Sequence, residues 1–450
     1  RAYVVRGPAI TPADVEELEG HLRDQIEALA AAGLAADEAF LVAVKRIGSL
    51  NALSREFARE HSERLWRQLV LGGDAPGVPG AAPPRQELAV VLALAAAAAA
   101  AFKAPELFGV RFTEISHGFY ARNLAFFVLP FLTGYLAWKR GLGAAGVAGG
   151  AGGARLARLF GPFAAAALVV NLYPFRPQGH TFVLAAIHLP IALWLVVGLA
   201  YVGLRWRDDG ERMNFIRFSG ELFIYYVLIA LGGGVLAGFT AAMFEAIGLK
   251  AEAFITQWLL PCGAMGAVLV ASWLVEVKQS VIENMAPVLT RLFTPLFTLV
   301  LLAFLATMLW TGRGIDVQRE VLIGFDLLLA VVLGLLLYSV SARDPLAPPG
   351  PFDRLQLVLV ASALVVDAFA LAAIAARISE VGFTPNRTAA LGENLVLLVN
   401  LGWSARLYAR FLRGRAPFSA LERWQTAYLP VYAGWALVVV IVFPLLFGFA

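Results

Sequence analysis

Charge is what this sequence has least of. Asp, Glu, Lys and Arg make up 15% of the 450 residues, where a soluble domain carries about 25%. Cysteine is almost missing too. The single Cys262 rules out an intrachain disulfide and any CxxC redox or metal site, and reads as a small apolar helix residue. The net charge of +4 is small and the basic residues are not gathered on one segment, so nothing argues for nucleic acid as a partner. No Walker A sequence, no HExxH pair and no GxSxG elbow occurs. His180 and His188 are too far apart to share one helical face as metal ligands. No catalytic residue, metal site or cofactor is therefore expected, and an enzyme has no motif to stand on.

What the sequence has instead is hydrophobic length: 60% of its residues are hydrophobic. Apolar runs of about 18 residues or more read as membrane-spanning helices. Such runs, allowing for shifts at each end, fall at 86–102, 122–138, 158–173, 181–204, 219–247, 254–275, 290–310, 321–341, 355–376, 389–409 and 428–449. The expected fold is all-α: a polytopic bundle of about eleven transmembrane helices over 86–450, with the lipid bilayer as its main partner. The glycine-rich piece 141–153 reads as a loop. Pro130, Pro190, Pro261, Pro295, Pro430 and Pro444 mark expected kinks.

Residues 1–70 differ in kind. Thr11-Pro12-Ala13-Asp14 is a helix start, and Val15, Leu18, Leu22, Ile26 and Leu29 form one apolar stripe. Two further short amphipathic helices carry Phe40, Leu41, Val44 and Ile47, then Leu53, Phe57, Leu65, Trp66 and Leu69. This predicts a small three-helix domain, followed by a Gly/Pro-rich linker over 71–85. The opening residues Arg1–Arg6 show no signal-peptide pattern, so the domain is expected in the cytoplasm. With that side inside, the inner loops hold about twice as many Lys and Arg as the outer ones, as the positive-inside rule requires. Eleven spans then place the C-terminal end outside.

Two resemblances follow from particular residues. Glu16-Glu17-Leu18-Glu19-Gly20-His21-Leu22, Gly33-Leu34-Ala35-Ala36-Asp37-Glu38-Ala39-Phe40 and Arg46-Ile47-Gly48-Ser49-Leu50 resemble the HAAS-type domain, also called permease prefix domain 1, over residues 12–60. Ala35 and Ala36 stand where that family places Ser or Thr before the acidic pair. The resemblance implies a cytoplasmic helical domain in front of a permease, or of a membrane protein linked to PadR-type regulation. From about Asn171 onward, Ile187-His188-Leu189-Pro190 with Trp194, Phe215-Ile216-Arg217-Phe218-Ser219-Gly220-Glu221, Leu231-Gly232-Gly233-Gly234 and Gly382-Phe383-Thr384-Pro385-Asn386-Arg387 resemble the bacterial DUF4153-type membrane family. That implies a polytopic inner-membrane fold and no mechanism.

Ionisable residues inside a bilayer cost at least about 2.5 kcal/mol at a helix centre, so each one needs a reason. Asp367 lies deepest in its span, and Asp326, His188, Glu221, Glu245, Arg387 and Glu393 lie within theirs. One reading is a polar pathway or proton-coupled site; the other is interhelical hydrogen bonding or snorkelling to water. Depth removes snorkelling for Asp367 and His188, which makes them candidate partners. Gly232, Gly233 and Gly234 sit mid-span and mark either a discontinuous helix or close packing over small residues. Two functions compete: a regulatory or sensory membrane protein whose residues 1–70 contact a protein partner, and a permease component with a polar intramembrane pathway. The oligomeric state is open.

Overall fold

The computed structural model describes residues 84–112, 118–143, 151–176, 179–246, 249–277, 285–311 and 319–450. The chain divides into two compact units. The first, 1–83 with 278–283, lies outside the described residues, as do the expected three-helix domain and nearly all of the linker. The second is a helical bundle with no strand among the described residues.

Its helices are α1 (Pro84–Lys103), α2 (Phe119–Asn123), α3 (Leu129–Lys139), α4 (Ala151–Leu172), α5 (His180–Tyr201), α6 (Asp209–Ala246) and α7 (Leu260–Val277), then α8 (Met285–Thr311), α9 (Arg319–Ala342), α10 (Pro351–Val381), α11 (Pro385–Leu412), α12 (Ser419–Leu437) and α13 (Phe443–Leu446). Among the described residues, ten stretches are long and apolar enough to cross a membrane. Only closed backbone hydrogen bonding is tolerable in lipid, and a helix supplies it within one segment.

The expected span at 122–138 is not one helix. It is α2, a 3₁₀ turn at Leu124–Phe127 and α3, with Pro130 in the first turn of α3 and Val128 between them in a non-helical conformation. Its ends nevertheless lie on opposite faces of the bundle. Tyr120 packs on Phe102 at the end of α1, and Lys139 pairs with Glu87 at the start of α1. Of the two readings of Gly232–Gly234, the discontinuous helix is absent: α6 runs unbroken from Asp209 to Ala246. No neighbouring atom lies within 4 Å of where a Cβ would stand at any of these glycines or at Gly238, so the stretch makes no close packing within the described bundle either. The glycine-rich piece is partly helical, because α4 begins at Ala151.

Two prolines act through the turn before them. Pro261 follows a π-turn at Ile255–Leu259, and Pro444 follows one at Val438–Val442. A proline lacks the N–H for the carbonyl four residues back, and a wider turn absorbs the mismatch. Pro190, Pro295 and Pro430 lie inside helices.

Contacts sort the helix ends onto two faces. On the Glu87 face, Lys139 binds Glu87 at 2.6 Å and Glu276 at 3.2 Å, while Arg140 reaches Glu276 at 3.2 Å and the Tyr201 carbonyl at 2.9 Å. This ties the ends of α1, α3, α5 and α7 together. Arg217 donates to the Ser341 carbonyl, and Arg343 grips Asp353 at 2.8 and 3.1 Å. Asp353 in turn accepts from the Gly350 N–H at 2.7 Å, closing the start of α10. On the opposite, Lys103 face, Lys103 donates to the Gln257 carbonyl, Asn123 pairs with Asn171, and Asn386 pairs with His180.

Two apolar cores result. One joins α1, α3, α4, α5 and α7 around Leu132, Tyr135, Leu159, Val197 and Leu269. The other joins α8 to α12 around Leu301, Leu329, Leu336, Leu359 and Tyr408. The start of α6 belongs to both, with Phe215 in the first and Ile216 in the second. Large apolar residues stay exposed on α6 and α8, including Phe239, Met243 and Trp310, as a lipid-facing surface requires.

Candidate intramembrane site

Three carboxylates converge from three consecutive long helices. Asp326 comes from the first half of α9, Asp367 from the middle of α10 and Glu393 from the first half of α11. Asp326 lies within electrostatic range of both Asp367 and Glu393. Asn394, next to Glu393, donates its amide to Asp326 at 2.8 Å and to the Ala390 carbonyl at 2.8 Å.

Asp367 is fully buried, and neither of its carboxyl oxygens has a hydrogen-bond partner. The Oδ1 of Asn394, also fully buried, has none. Buried polar groups in folded proteins are nearly always paired, so two unpaired groups around Asp326 mark a place set aside from ordinary packing. The partnership expected between Asp367 and His188 is not formed. The His188 imidazole is hydrogen-bonded through Nδ1 to the Leu184 carbonyl at 2.8 Å, in its own helix. Nδ1 donates there, which leaves the lone pair on Nε2.

His188 instead shares a cavity with Glu393. The cavity, partly open to the outside of the bundle at Ile191, has a volume of about 520 Å³ and sits where the two cores meet, between α5, the start of α6, α9, α11 and α12. Its walls are almost wholly apolar, with Leu333, Leu397 and Leu429 among them, and with Phe215, Trp194, Tyr432 and Trp435 as aromatic surfaces. Trp194 is fixed by its Nε1–H, which donates to Ser219 at 3.0 Å. Trp435 lies so close over α11 that a Cβ at Gly392 would overlap its ring. Glycine at 392 thus lets the indole reach the backbone beside Glu393. The Tyr432 hydroxyl and the Trp435 Nε1 find no partner.

The remaining expected residues fall elsewhere. Glu221 is buried nearer the Glu87 face, in electrostatic range of Tyr201 and Tyr338. Glu245 is exposed at the far end of α6. Arg387 donates to the Gly382 carbonyl at 3.0 Å, at the junction of α10 and α11. No group of three or more His, Cys, Asp or Glu side chains among the described residues could hold a metal ion.

Sequence reasoning missed Asn394, Tyr432 and Trp435. An asparagine within an apolar span is itself a signal, since its amide needs partners in lipid. A second network carries the same mark: Gln425, fully buried on α12, accepts from Asn400 at 3.1 Å and donates to Ser404 at 2.7 Å.

No family model, no curated protein and no solved structure matches the chain.

Proposed function

We propose that the chain is a polytopic protein of a bacterial cytoplasmic membrane, of permease type, which binds a small molecule inside its bundle. The observation that carries this is the 520 Å³ cavity whose Glu393 wall lies in electrostatic range of Asp326, which is in turn in range of the unpaired Asp367. Ligand cavities for small molecules have volumes of about 300–1,000 Å³, with apolar walls and a few convergent polar groups. Ionisable residues held in the membrane without a structural partner mark substrate and ion routes. The resemblance to the DUF4153-type family supports the class of fold and adds no substrate.

Counted with the broken pass from α2 to α3, the bundle makes eleven crossings. The Glu87 face faces the cytoplasm in this reading, because it carries Lys139, Arg140, Arg205, Arg343 and Arg410. The C-terminal end of the sequence then lies outside. Residues 12–60, with their HAAS-like pattern, favour a second reading in which the same cavity is a sensor pocket and residues 1–70 pass its state to a protein partner.

Cysteine accessibility separates the two. In a Cys262→Ala background, Leu333→Cys puts a thiol on the cavity wall. A permease moves its cavity between faces, so a membrane-impermeant thiol reagent should label this position in both right-side-out and inside-out vesicles. Labelling from one side only would select the sensor, and a thiol that never reacts would remove the cavity from either function.

A further inference from the structure

The cavity's chemistry narrows its ligand, on the condition that it is a ligand site as proposed above. Among the described residues lining it there is no lysine or arginine, and Glu393 is its one acid. Asp326, a second acid outside the lining, lies in electrostatic range of Glu393. His188 has its Nδ1–H spent on Leu184, so the ring can offer an acceptor lone pair to a ligand. Every ionisable group near this wall therefore suits a donor or a positive charge, and none suits an anion.

The rest of the wall argues about size and polarity. Trp194, Tyr432 and Trp435 bring three aromatic rings to one apolar chamber. An aromatic face attracts a cation by about 0.5–2 kcal/mol, more where water is excluded. A small inorganic cation fits poorly, because hard cations need about six oxygen ligands or retained waters and these walls are hydrocarbon. We propose that the cavity binds a lipophilic organic monocation, an amine or onium compound, with its charge at Glu393 and its apolar body against Trp194, Tyr432 and Trp435.

Two ions of matched shape and opposite charge test this directly. The full chain, purified into lipid nanodiscs, is titrated separately with tetraphenylphosphonium and with tetraphenylborate, and empty nanodiscs give the lipid background. The expected result is saturable binding of the phosphonium at one site and none of the borate. Glu393→Gln should weaken phosphonium binding at least tenfold, and Ala433→Trp, which fills the cavity from its buried wall, should abolish it. Comparing the two ions on the unmodified protein needs no variant, so a misfolded Glu393→Gln leaves the test intact. Equal binding of both ions overturns the proposal. So does phosphonium binding that Glu393→Gln leaves unchanged. Uncharged triphenylmethanol, titrated as a third ligand, separates two kinds of failure. If it alone binds, and Ala433→Trp removes it, the cavity is a ligand site but its charge preference is wrong. If none of the three binds, both the preference and the ligand cavity fall.

Discussion

Glu276 and Asp353 on the Glu87 face, and Asp367 in the bundle interior, are the same kind of group under opposite treatment. The Glu276 side chain is 1% exposed and is met by Lys139 and Arg140. Asp353 is gripped by Arg343, whose guanidinium also lies over Phe411 and Phe418. Asp367 is as deeply buried, yet no cation and no hydrogen-bond donor meets it. Paired carboxylates join helix ends and hold the bundle in register. An unpaired one joins nothing, so its retention needs another cause, and the cavity beside Glu393 offers one. Substitutions on the two sets should therefore separate stability from binding.

The largest stability loss is expected at Glu276→Ala. It strands Arg140 without its carboxylate and removes one of the two that hold Lys139. Breaking a buried pair from one side costs about 3–5 kcal/mol. Thermal unfolding of the detergent-solubilised protein, followed by tryptophan fluorescence, should show a clear fall in Tm. An unchanged Tm would mean that these pairs are as dispensable as surface ones.

Next comes Gly392→Ala, which strikes the boundary between the two sets. The added methyl meets the Trp435 ring, and overpacking of this kind costs about 1–3 kcal/mol. It should also displace a cavity wall, so ligand binding should fall along with Tm. A stable variant with intact binding would show that Trp435 moves freely and does not shape the cavity.

Asn394→Ala is expected to cost less, about 1 kcal/mol. It removes the hydrogen bond to Asp326, but it also removes the unpaired Oδ1, and the two effects oppose each other. A loss as large as that of Glu276→Ala would place Asn394 with the structural pins instead.

Why one set was legible in the sequence and the other was not follows from what hydropathy encodes. Apolar runs mark helices because each must satisfy its own backbone, and ten of the expected spans are continuous helices or nearly so. The exception, 122–138, breaks at Asn123 and Val128, where Asn123 turns its amide to Asn171 on α4. That partner lies 48 residues away and leaves no trace in local periodicity. The individual acids were visible as charges in apolar runs. Their grouping was not, because it depends on how α9, α10 and α11 rotate against one another. The same limit explains His188: depth suggested Asp367 as its partner, but helix rotation gave it Leu184 and the cavity instead. The helix-break reading of Gly232–Gly234 fails for a related reason. Glycine lowers helix propensity by about 1 kcal/mol against alanine in water, whereas in lipid an opened backbone has nothing to bond, and α6 stays closed.

The smallest stability effect, and the sharpest test of the comparison, belongs to Asp367→Asn. The amide has nearly the shape of the carboxyl it replaces, so packing around Val366 and Ala370 is undisturbed. No hydrogen bond is lost, because the carboxyl oxygens accept none. A group in electrostatic range of Asp326 with the same sign of charge becomes a neutral one. Stability should therefore stay within about 0.5 kcal/mol of the parent protein's or rise, with Tm unchanged or higher, as for substitutions that break no named interaction. Tetraphenylphosphonium affinity should drop by less than in Glu393→Gln, since Asp367 is not among the cavity-lining residues. A fall in Tm matching that of Glu276→Ala would show that Asp367 is held by a structural partner after all. The distinction between pinning and unpaired carboxylates would then collapse at the residue that defines it.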